Sequence, residues 1–455
     1  MTDKKLSTKV CVGFSLPGFT ENMMMAPVLG ILPALYAEDL GLSLASIGLM
    51  FMVARIFDAA TDPMVGYLSD RTQSRFGARK PWIVAGQALS LTAIYFLFIP
   101  RAGAGTLYFA LLSSLHFLGW TMLMIPYNAW TTELTGDYGQ RARLFTYRSC
   151  AVYIGALLFT VSPLVLSPWT GSTEYSFEFM KLLCYFLLVA IPILTIIALR
   201  VVPQGNKVTT DTPSLRDSLQ AIKSNKVLLL FMLLTVIASL AQGVVGALEF
   251  LYLSNFMKLG PYVPILLGTG VVTSLLAIPI WYSFVQRFGK HKPWAVASFV
   301  FAICTPLYFL LEPGEGALPW LFLLTIILGF VRATGAVAPQ SMLADIVDFD
   351  TLKTGANRAG SFFSLLMLIS KGGLAIGGGV GLWLVGIGGY DPSAVTNDPS
   401  AQVNFILVYA ILPGIMLFVT GLLALKYPLD ERKQAVIRKR IEQLAERAHA
   451  KDVVA

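Results

Sequence analysis

RFGARKPW at residues 75–82 recurs as RFGKHKPW at residues 287–294, a separation of 212 positions. The same separation carries Glu133, at the end of one apolar segment, onto Asp345, at the end of another. A basic loop that ends in Trp would by itself only anchor helices at a membrane surface, where these residues are favoured. Its recurrence in register indicates instead that one six-helix unit occurs twice in the same orientation.

Composition places the chain in a lipid environment. Of 455 residues, 56% are hydrophobic and only 13% are charged, with a mean hydropathy of +0.69. Soluble chains carry about 25% charged residues, so this chain cannot cover itself in water. The net charge is +8, but Lys and Arg lie almost entirely in alternate loops, and no nucleic-acid motif occurs. We therefore expect no nucleic-acid partner. Four cysteines stand singly and are interpreted as packing residues, without a predicted metal site or disulfide.

Twelve segments are apolar enough to cross a bilayer, which takes about 20 residues. They are residues 10–36, 43–69, 81–100, 106–133, 143–168, 178–201, 227–256, 262–286, 293–311, 318–343, 359–388 and 402–425.

The loops differ in charge from one side of the membrane to the other. Lys and Arg cluster in the connections at 71–80, 141–148, 207–226 and 287–292, whereas the alternate connections hold almost none. Positively charged loops stay in the cytoplasm, so both termini are predicted to be cytoplasmic, as an even number of spans requires. The predicted fold is an all-α polytopic membrane protein of the major facilitator type. Its predicted parts are six-helix bundles at 1–201 and 227–425, a cytoplasmic loop at 202–226 and a cytoplasmic tail at 426–455.

Span two carries ionisable residues at membrane depth, where they are costly and indicate function. Asp58 and Asp62 share one helix face, with Arg55 one turn earlier. Two converging carboxylates are retained when they share a proton or bind a cation, as a cation-coupled transporter needs. A purely structural ion-pair network with Arg55 is the alternative. Lys371, inside span eleven of the other half, needs an acidic partner, and this pair is the evident candidate.

Further polar residues within the spans are candidates for binding a solute. Arg148 could donate paired hydrogen bonds to a hydroxyl or carboxylate, or it could simply extend to the membrane surface. Glu21, Trp120 and Asn128 could line a cavity, with the Trp ring suited to a sugar face. Individually, such residues more often pack or bond helix to helix.

Charged residues also border spans four, five, ten and eleven at the cytoplasmic side. We predict gating salt bridges there that hold the inside closed. The candidates are Glu133, Asp137, Arg141, Arg143, Asp345, Asp348 and Arg358, with Arg55 as a further salt-bridge residue.

Several of these motifs together resemble one family. RIFDAATDPMVGYLSDRTQSRFGARKPW at 55–82 and ELTGDYGQRARL at 133–144 are similar to the glycoside-pentoside-hexuronide:cation symporters, the melibiose permease family. DIVD at 345–348, followed by Lys353, Gly355, Arg358 and Gly360, is similar too, as is Lys371.

The resemblance implies a sodium- or proton-coupled uptake symporter in the plasma membrane, here a bacterial inner membrane. Asp58 and Asp62 then correspond to the family's cation carboxylates, Thr121 to its cation-site hydroxyl, and Arg148 and Lys371 to its cavity charges. No cofactor is expected beyond the coupling ion. The expected partners are a small-molecule solute, the cation and the lipid bilayer, with the chain as a monomer.

Three positions depart from melibiose permease. Met124 stands where that family member has a sugar-binding Asp, and Asn128 replaces its Trp. Thr20 occupies the position where melibiose permease has a carboxylate in span one. Glu21 is the next residue, about 100° further round the helix. The galactoside set is broken while the cation set is retained, so Met124 and Asn128 are expected to line an altered solute site.

The leading hypothesis is therefore a symporter for a sugar, glycoside, uronide or similar small polar solute. The second is a major facilitator transporter of another class, such as a lysolipid or small peptide, since eukaryotic relatives carry lysolipids. A membrane receptor or scaffold is a third. An enzyme has no support, because no nucleophile elbow, metal-ligand cluster or phosphate loop occurs in the sequence.

Overall fold

The computed structural model describes residues 6–135, 137–205, 225–354 and 358–429, with single positions at 433, 434, 436, 440 and 443. All regular elements in these ranges are helices. The first, α1, comprises Thr8–Ala26, a π-helical turn Pro27–Ile31 and Leu32–Glu38. The others are α2 (Leu44–Arg71), α3 (Lys80–Phe98), α4 (Thr106–Leu134), α5 (Tyr138–Thr170), α6 (Phe177–Val201), α7 (Lys226–Phe256), α8 (Gly260–Phe288), α9 (His291–Leu310), α10 (Glu315–Thr354), α11 (Ala359–Ile387) and α12 (Pro399–Leu425).

Eleven segments of the described chain are long and apolar enough to cross a membrane, and they correspond to α2–α12. α1 is less apolar, with Glu21 and Asn22 near its middle, but it continues helically to Glu38 and supplies the twelfth span. The predicted fold of twelve membrane helices is confirmed.

Two helices run further than the hydropathy pattern predicts. α10 continues to Thr354, past the predicted end at 343, with a break in the helix at Ala333. α5 begins at Tyr138, five residues before the predicted 143. Both extensions are polar. Hydropathy marks where a helix enters the bilayer and not where its hydrogen bonding ends, so the pattern underestimates the length of both helices. Asp345 and Asp348 therefore lie on a helix and not in a loop.

The packing of the helices repeats with an offset of six. α1 packs on α5 and α6 as α7 packs on α11 and α12, and α2 packs on α4 as α8 packs on α10. The two bundles meet through α2 against α11 and α5 against α8, which are themselves equivalent pairs. This repetition is the structural counterpart of the repeated loop. The boundaries 1–201, 202–226, 227–425 and 426–455 stay predictions, since 206–224 and most of the tail lie outside the described residues.

The two bundles touch mainly at one end. We call the side on which α1 begins and α12 ends the terminal face, and the other side the opposite face. Near the opposite face Gly48 of α2 packs against the backbone of Gly379, and Met52 follows on the same side of the helix. Ala59 and Pro63 continue this stripe toward the terminal face but are exposed. The bundles therefore diverge, leaving a cleft that opens at the terminal face.

Candidate functional site

Three side chains of the N-terminal bundle converge at the middle of the cleft. The Thr121 hydroxyl oxygen of α4 lies 2.7 Å from Asp58 Oδ1 and 2.7 Å from Asp62 Oδ1 of α2. A hydroxyl has one proton, so it donates to one carboxylate at a time. Asp58 is buried, whereas Asp62 reaches the cleft. The two carboxylates and the hydroxyl together offer oxygen ligands of the kind that hard cations prefer.

Lys371 reaches this group from the other bundle. Its Nζ lies 2.9 Å from Asp58 Oδ2, 2.9 Å from Asp62 Oδ2 and 3.3 Å from Thr121 Oγ1. The predicted partners of Lys371 are thus the residues that it contacts. Because α11 belongs to the C-terminal bundle, this ammonium joins the two halves of the molecule through charge.

Arg55, one turn before Asp58 on α2, is the fifth member of the cluster. Its Nη1 lies 3.4 Å from Asp58 Oδ2, and its guanidinium stacks 3.7 Å from the centre of the Phe117 ring. Arg55 and Lys371 together balance the two carboxylates, so the cluster as a whole is neutral. Neutrality lowers the cost of holding these charges inside a membrane protein.

A second polar group lies on α1, α4 and α5. Arg148 donates from Nε and Nη2 to Glu21 Oε1 at 3.1 and 2.9 Å, and from Nη1 to Asn128 Oδ1 at 2.6 Å. Its Nη2 also lies 3.4 Å from the Met124 sulfur. Four predicted solute-site residues thus come together, and Arg148 is buried and paired rather than extended to the membrane surface.

Trp120, the remaining predicted solute-site residue of α4, is partly buried beside Thr121. Its ring lies 6.5 Å from that of His116, whose Nδ1 is 2.8 Å from Ser90 Oγ. Trp120 thus contacts the packed interior of the bundle through His116.

The predicted gating residues pair within each bundle. Glu133 accepts from Arg79 Nε at 2.8 Å in the N-terminal bundle, and Asp345 accepts from Lys290 Nζ at 2.5 Å in the C-terminal one. Among the described residues, ion pairs between the bundles are made by Lys371 with Asp58 and Asp62. A gate that closes the terminal face through these residues stays a prediction.

Most of the other predicted gating residues contact backbone or side-chain groups near the terminal face. Asp137 caps α5 by accepting from the Gln140 backbone, and Arg141 donates to the Thr135 carbonyl. Arg143 ties the start of the chain to α5 through the Leu6 carbonyl and Thr8. Asp348 accepts from Gln434 at 2.9 Å. Arg358 is partly buried at the start of α11.

Sequence reasoning missed the roles of Arg79 and Lys290. Both looked like ordinary basic loop residues, yet Arg79 is buried between Glu133 and Asp70. The usable signal was the shared separation of 212 positions, which repeats both the basic loop and the acidic residue facing it.

The described residues contain no group of three or more His, Cys, Asp or Glu side chains that could hold a metal ion. A twelve-helix fold with repeated bundles, a cleft between them and charges at its middle defines a membrane transporter of the major facilitator class.

Comparison with known proteins gives the family. Residues 13–431 match the family described as MFS/sugar transport protein, and the chain belongs to it. The chain is 25% identical over 436 residues to the inner membrane symporter YicJ of Escherichia coli, covering 94% of this chain and 93% of that one. It is 26% identical over 432 residues to the isoprimeverose transporter of Lactiplantibacillus pentosus, covering 92% and 88%.

A solved structure shows the same fold. The crystal structure of the nucleoside transporter NupG superposes with a TM-score of 0.67 at 13% identity, covering 92% of this chain and 100% of that one. The family and these relatives are membrane transporters, so the chain is a multi-pass transporter and not an enzyme, as the sequence predicts.

Proposed function

We propose that this chain is a cation-coupled symporter that imports a sugar, glycoside, uronide or similar small polar solute by alternating access. The observation that carries the proposal is the Lys371 ammonium, which joins the two bundles by binding both Asp58 and Asp62. The relatives named as symporters and as an isoprimeverose transporter support this class of activity.

Coupling follows from competition for the same carboxylates. A sodium ion or a proton that binds Asp58 or Asp62 neutralises a charge that Lys371 now neutralises. Cation binding therefore weakens the bond between α2 and α11, which joins the bundles. A ligand that favours one arrangement of the bundles over the other shifts their equilibrium, as alternating access requires. In this proposal Thr121 contributes the hydroxyl ligand.

The solute occupies the cleft beside the cation cluster. Glu21 and Asn128 present hydrogen-bonding groups held in place by Arg148, and Trp120 and Met124 offer apolar surface to a sugar ring. These residues lie on the N-terminal bundle, while Lys371 faces them from the C-terminal one. Solute and cation thus bind where the bundles meet.

The charge of the loops supports an orientation. The terminal face bears the loops rich in Lys and Arg, so we place it, with both chain ends, in the cytoplasm. The cleft then opens inward. A bacterial inner membrane is the proposed location, in line with the relative named as an inner membrane symporter. The proposed transporter is a monomer with no cofactor beyond the coupling ion.

Uptake by right-side-out membrane vesicles tests the proposal. Labelled sugars, glycosides, a uronide, a lysolipid and a dipeptide are offered with sodium and pH gradients imposed separately. Asp58→Asn and Asp62→Asn are each expected to lower solute accumulation about tenfold or more, because each removes a charged ligand of the cation. Glu312→Gln, which changes an exposed carboxylate in the loop between α9 and α10, is the matched control.

The outcomes separate the hypotheses. Wild-type levels of gradient-driven uptake in both Asp variants would contradict coupling through this pair. Uptake of the lysolipid or the dipeptide, without any sugar, would support the second hypothesis of another substrate class. Transport of none of these solutes would favour a receptor or scaffold.

A further inference from the structure

A third charged pair lies in the C-terminal bundle, outside the sites described above. Arg332 of α10 places Nη2 3.4 Å from Glu249 Oε1 of α7. Arg332 lies near the middle of the long segment Glu315–Thr354, where the helix breaks at Ala333. Ionisable residues at this depth are expensive and mark functional sites.

Arg332 points into the protein and not toward lipid. The lipid-facing side of α10 is marked by exposed Trp320, Leu323 and Ile326. Arg332 follows Leu323 by nine positions, which at 3.6 residues per turn places it roughly half a turn away on the opposite side. Gln340, eight positions further on and roughly on the same side, is also exposed and polar.

α7 presents a matching polar face. Gln242, Gly246 and Glu249 are spaced four and three residues apart, so they share one side of the helix. A Cβ atom added at Gly246 would have no neighbour within 4 Å, and the one at Gly335 would meet only the Gln242 amide, at 3.7 Å. The two helices therefore border open space lined by Gln242, Glu249 and Arg332.

The hydrogen bonds of Arg332 differ from those of Arg148. Arg148 uses Nε, Nη1 and Nη2 on Glu21 and Asn128. Within the described part of the chain, the guanidinium of Arg332 makes one hydrogen bond, to Glu249. A guanidinium has five N–H donors, and 38% of this side chain is exposed. Arg332 therefore keeps exposed donors that are open to a ligand.

The internal repeat relates Arg332 to a residue of the proposed solute site. The separation of 212 positions that relates Glu133 to Asp345 also relates Trp120 to Arg332 and Asn128 to Gln340. Trp120 and Asn128 belong to the proposed solute site of the N-terminal bundle. Their equivalents are the expected solute-facing positions of the C-terminal bundle.

We propose that Arg332, oriented by Glu249, binds a carboxylate on the solute, so that the transported sugar is an acidic one. A planar guanidinium with open donors forms paired hydrogen bonds with a carboxylate, which a neutral hydroxymethyl group cannot reproduce. An acidic sugar that enters with one monovalent cation also adds no net charge to the cleft. This inference rests on the proposed function and specifies its solute.

Uptake of two matched solutes tests the inference in proteoliposomes that contain the purified full-length chain. Nitrophenyl β-glucuronide and nitrophenyl β-glucoside differ only in carrying a carboxylate or a hydroxymethyl group. The wild type is expected to prefer the glucuronide. Arg332→Gln is expected to lower the glucuronide-to-glucoside ratio about tenfold or more, since a charge-assisted hydrogen bond is lost. Arg332→Lys, which retains the charge, is expected to lose less, and Arg287→Gln at the terminal face is the control.

Glucoside uptake serves as the folding check for each variant. In the single Arg332→Gln variant the Glu249 carboxylate loses its partner, and the double variant Glu249→Gln with Arg332→Gln avoids this. A wild type that takes up the glucoside without preferring the glucuronide overturns the inference and leaves the proposed function standing. A preference unchanged in both Arg332→Gln and the double variant overturns the inference too. If the protein transports neither of these solutes nor any other sugar, the proposed function is overturned, and the inference with it.

Discussion

At the scale of single residues, Lys371 is the side chain on which the two halves depend. Its ion pairs cross from one bundle to the other, and it contacts both carboxylates of the candidate cation site. A third of its side chain is exposed to the cleft. An ammonium in this position can yield to an incoming cation without leaving the cluster negatively charged.

Replacing Lys371 by Gln tests this view of the residue. The variant leaves Arg55 as the one positive neighbour of Asp58 and Asp62, so two carboxylates near one hydroxyl lose half their compensation. We expect the free energy of unfolding in detergent, without sodium at neutral pH, to fall by about 1–3 kcal/mol, less than for a fully buried pair because Lys371 is partly exposed. Thermal unfolding of purified protein measures the change.

The rescue of this variant identifies the ion. If sodium is the coupling cation, adding sodium at neutral pH restores the stability of Lys371→Gln more than that of the wild type. If the proton is the coupling cation, acidification restores the stability of Lys371→Gln more than that of the wild type, because protonation removes one of the repelling charges. Lys181→Gln, at an exposed position of α6, should respond to neither. A Lys371→Gln protein as stable as the wild type, with no response to either ion, would contradict the role given to Lys371.

At the scale of elements, α2 both closes one end of the molecule and lines the cleft at the other. Gly48 and Met52 contact α11 near the opposite face, while Ala59 and Pro63, further along the same stripe, are exposed. The close approach at Gly48 depends on the missing side chain, since a Cβ there would lie 2.5 Å from the Trp383 backbone nitrogen. Small residues at helix contacts allow this approach in membrane proteins.

Gly48→Leu is expected to separate α2 from α11 at the opposite face. The added side chain cannot fit against the α11 backbone, so the variant should lose the arrangement in which that face is closed. Solute accumulation should then fall about tenfold or more, because an obstructed core contact costs about 1–3 kcal/mol. Gly316→Leu at the exposed start of α10 is the matched control, since a Cβ atom there would have no neighbour within 4 Å. Equal uptake by both variants would show that the contact at Gly48 is not needed for transport.

The elements also show which features a sequence can predict. The spacing of Asp58 and Asp62 alone places them on one helix face. Charges inside an apolar segment need a partner of opposite sign, and Lys371 is the candidate that the sequence offers. The bond between Arg148 and Glu21 was not predicted, because it depends on how α1 packs on α5. The extent of α10 was underestimated, since its last turns are polar and carry no hydropathy signal. Arg79 looked like any basic loop residue until the fold placed Glu133 beside it.

At the scale of the whole molecule, the two bundles are related but not equivalent. The equivalent packing pairs α2 with α4 and α8 with α10 recur, and so do the acidic residues that end α4 and extend α10. The charges inside the bundles do not recur: carboxylates of the cation cluster lie on α2, whereas its ammonium lies on α11. Each half therefore lacks something that the other supplies, and the cluster forms only where the bundles meet.

Cysteine labelling tests the direction in which the cleft opens. Cys11, Cys184 and Cys304 are buried and Cys150 is exposed, so Cys150→Ser gives a background with little reactive thiol. In this background Ser364→Cys should react with a membrane-impermeant maleimide in inside-out vesicles and not in right-side-out ones. The reason is that Ser364 is exposed and lies two turns before Lys371 on the same side of α11, toward the face proposed to be cytoplasmic.

Exposure alone does not predict that result, and a second cysteine shows why. Val189 is exposed too but lies in the apolar stripe of α6, so Val189→Cys should face lipid and stay unlabelled from either side. Adding the coupling cation together with a transported solute should slow the labelling of Ser364→Cys, because closure of the terminal face brings α2 toward α11. Labelling of Ser364→Cys only in right-side-out vesicles would reverse the orientation argued from the loop charges. Labelling that cation and solute leave unchanged would contradict alternating access through this cleft.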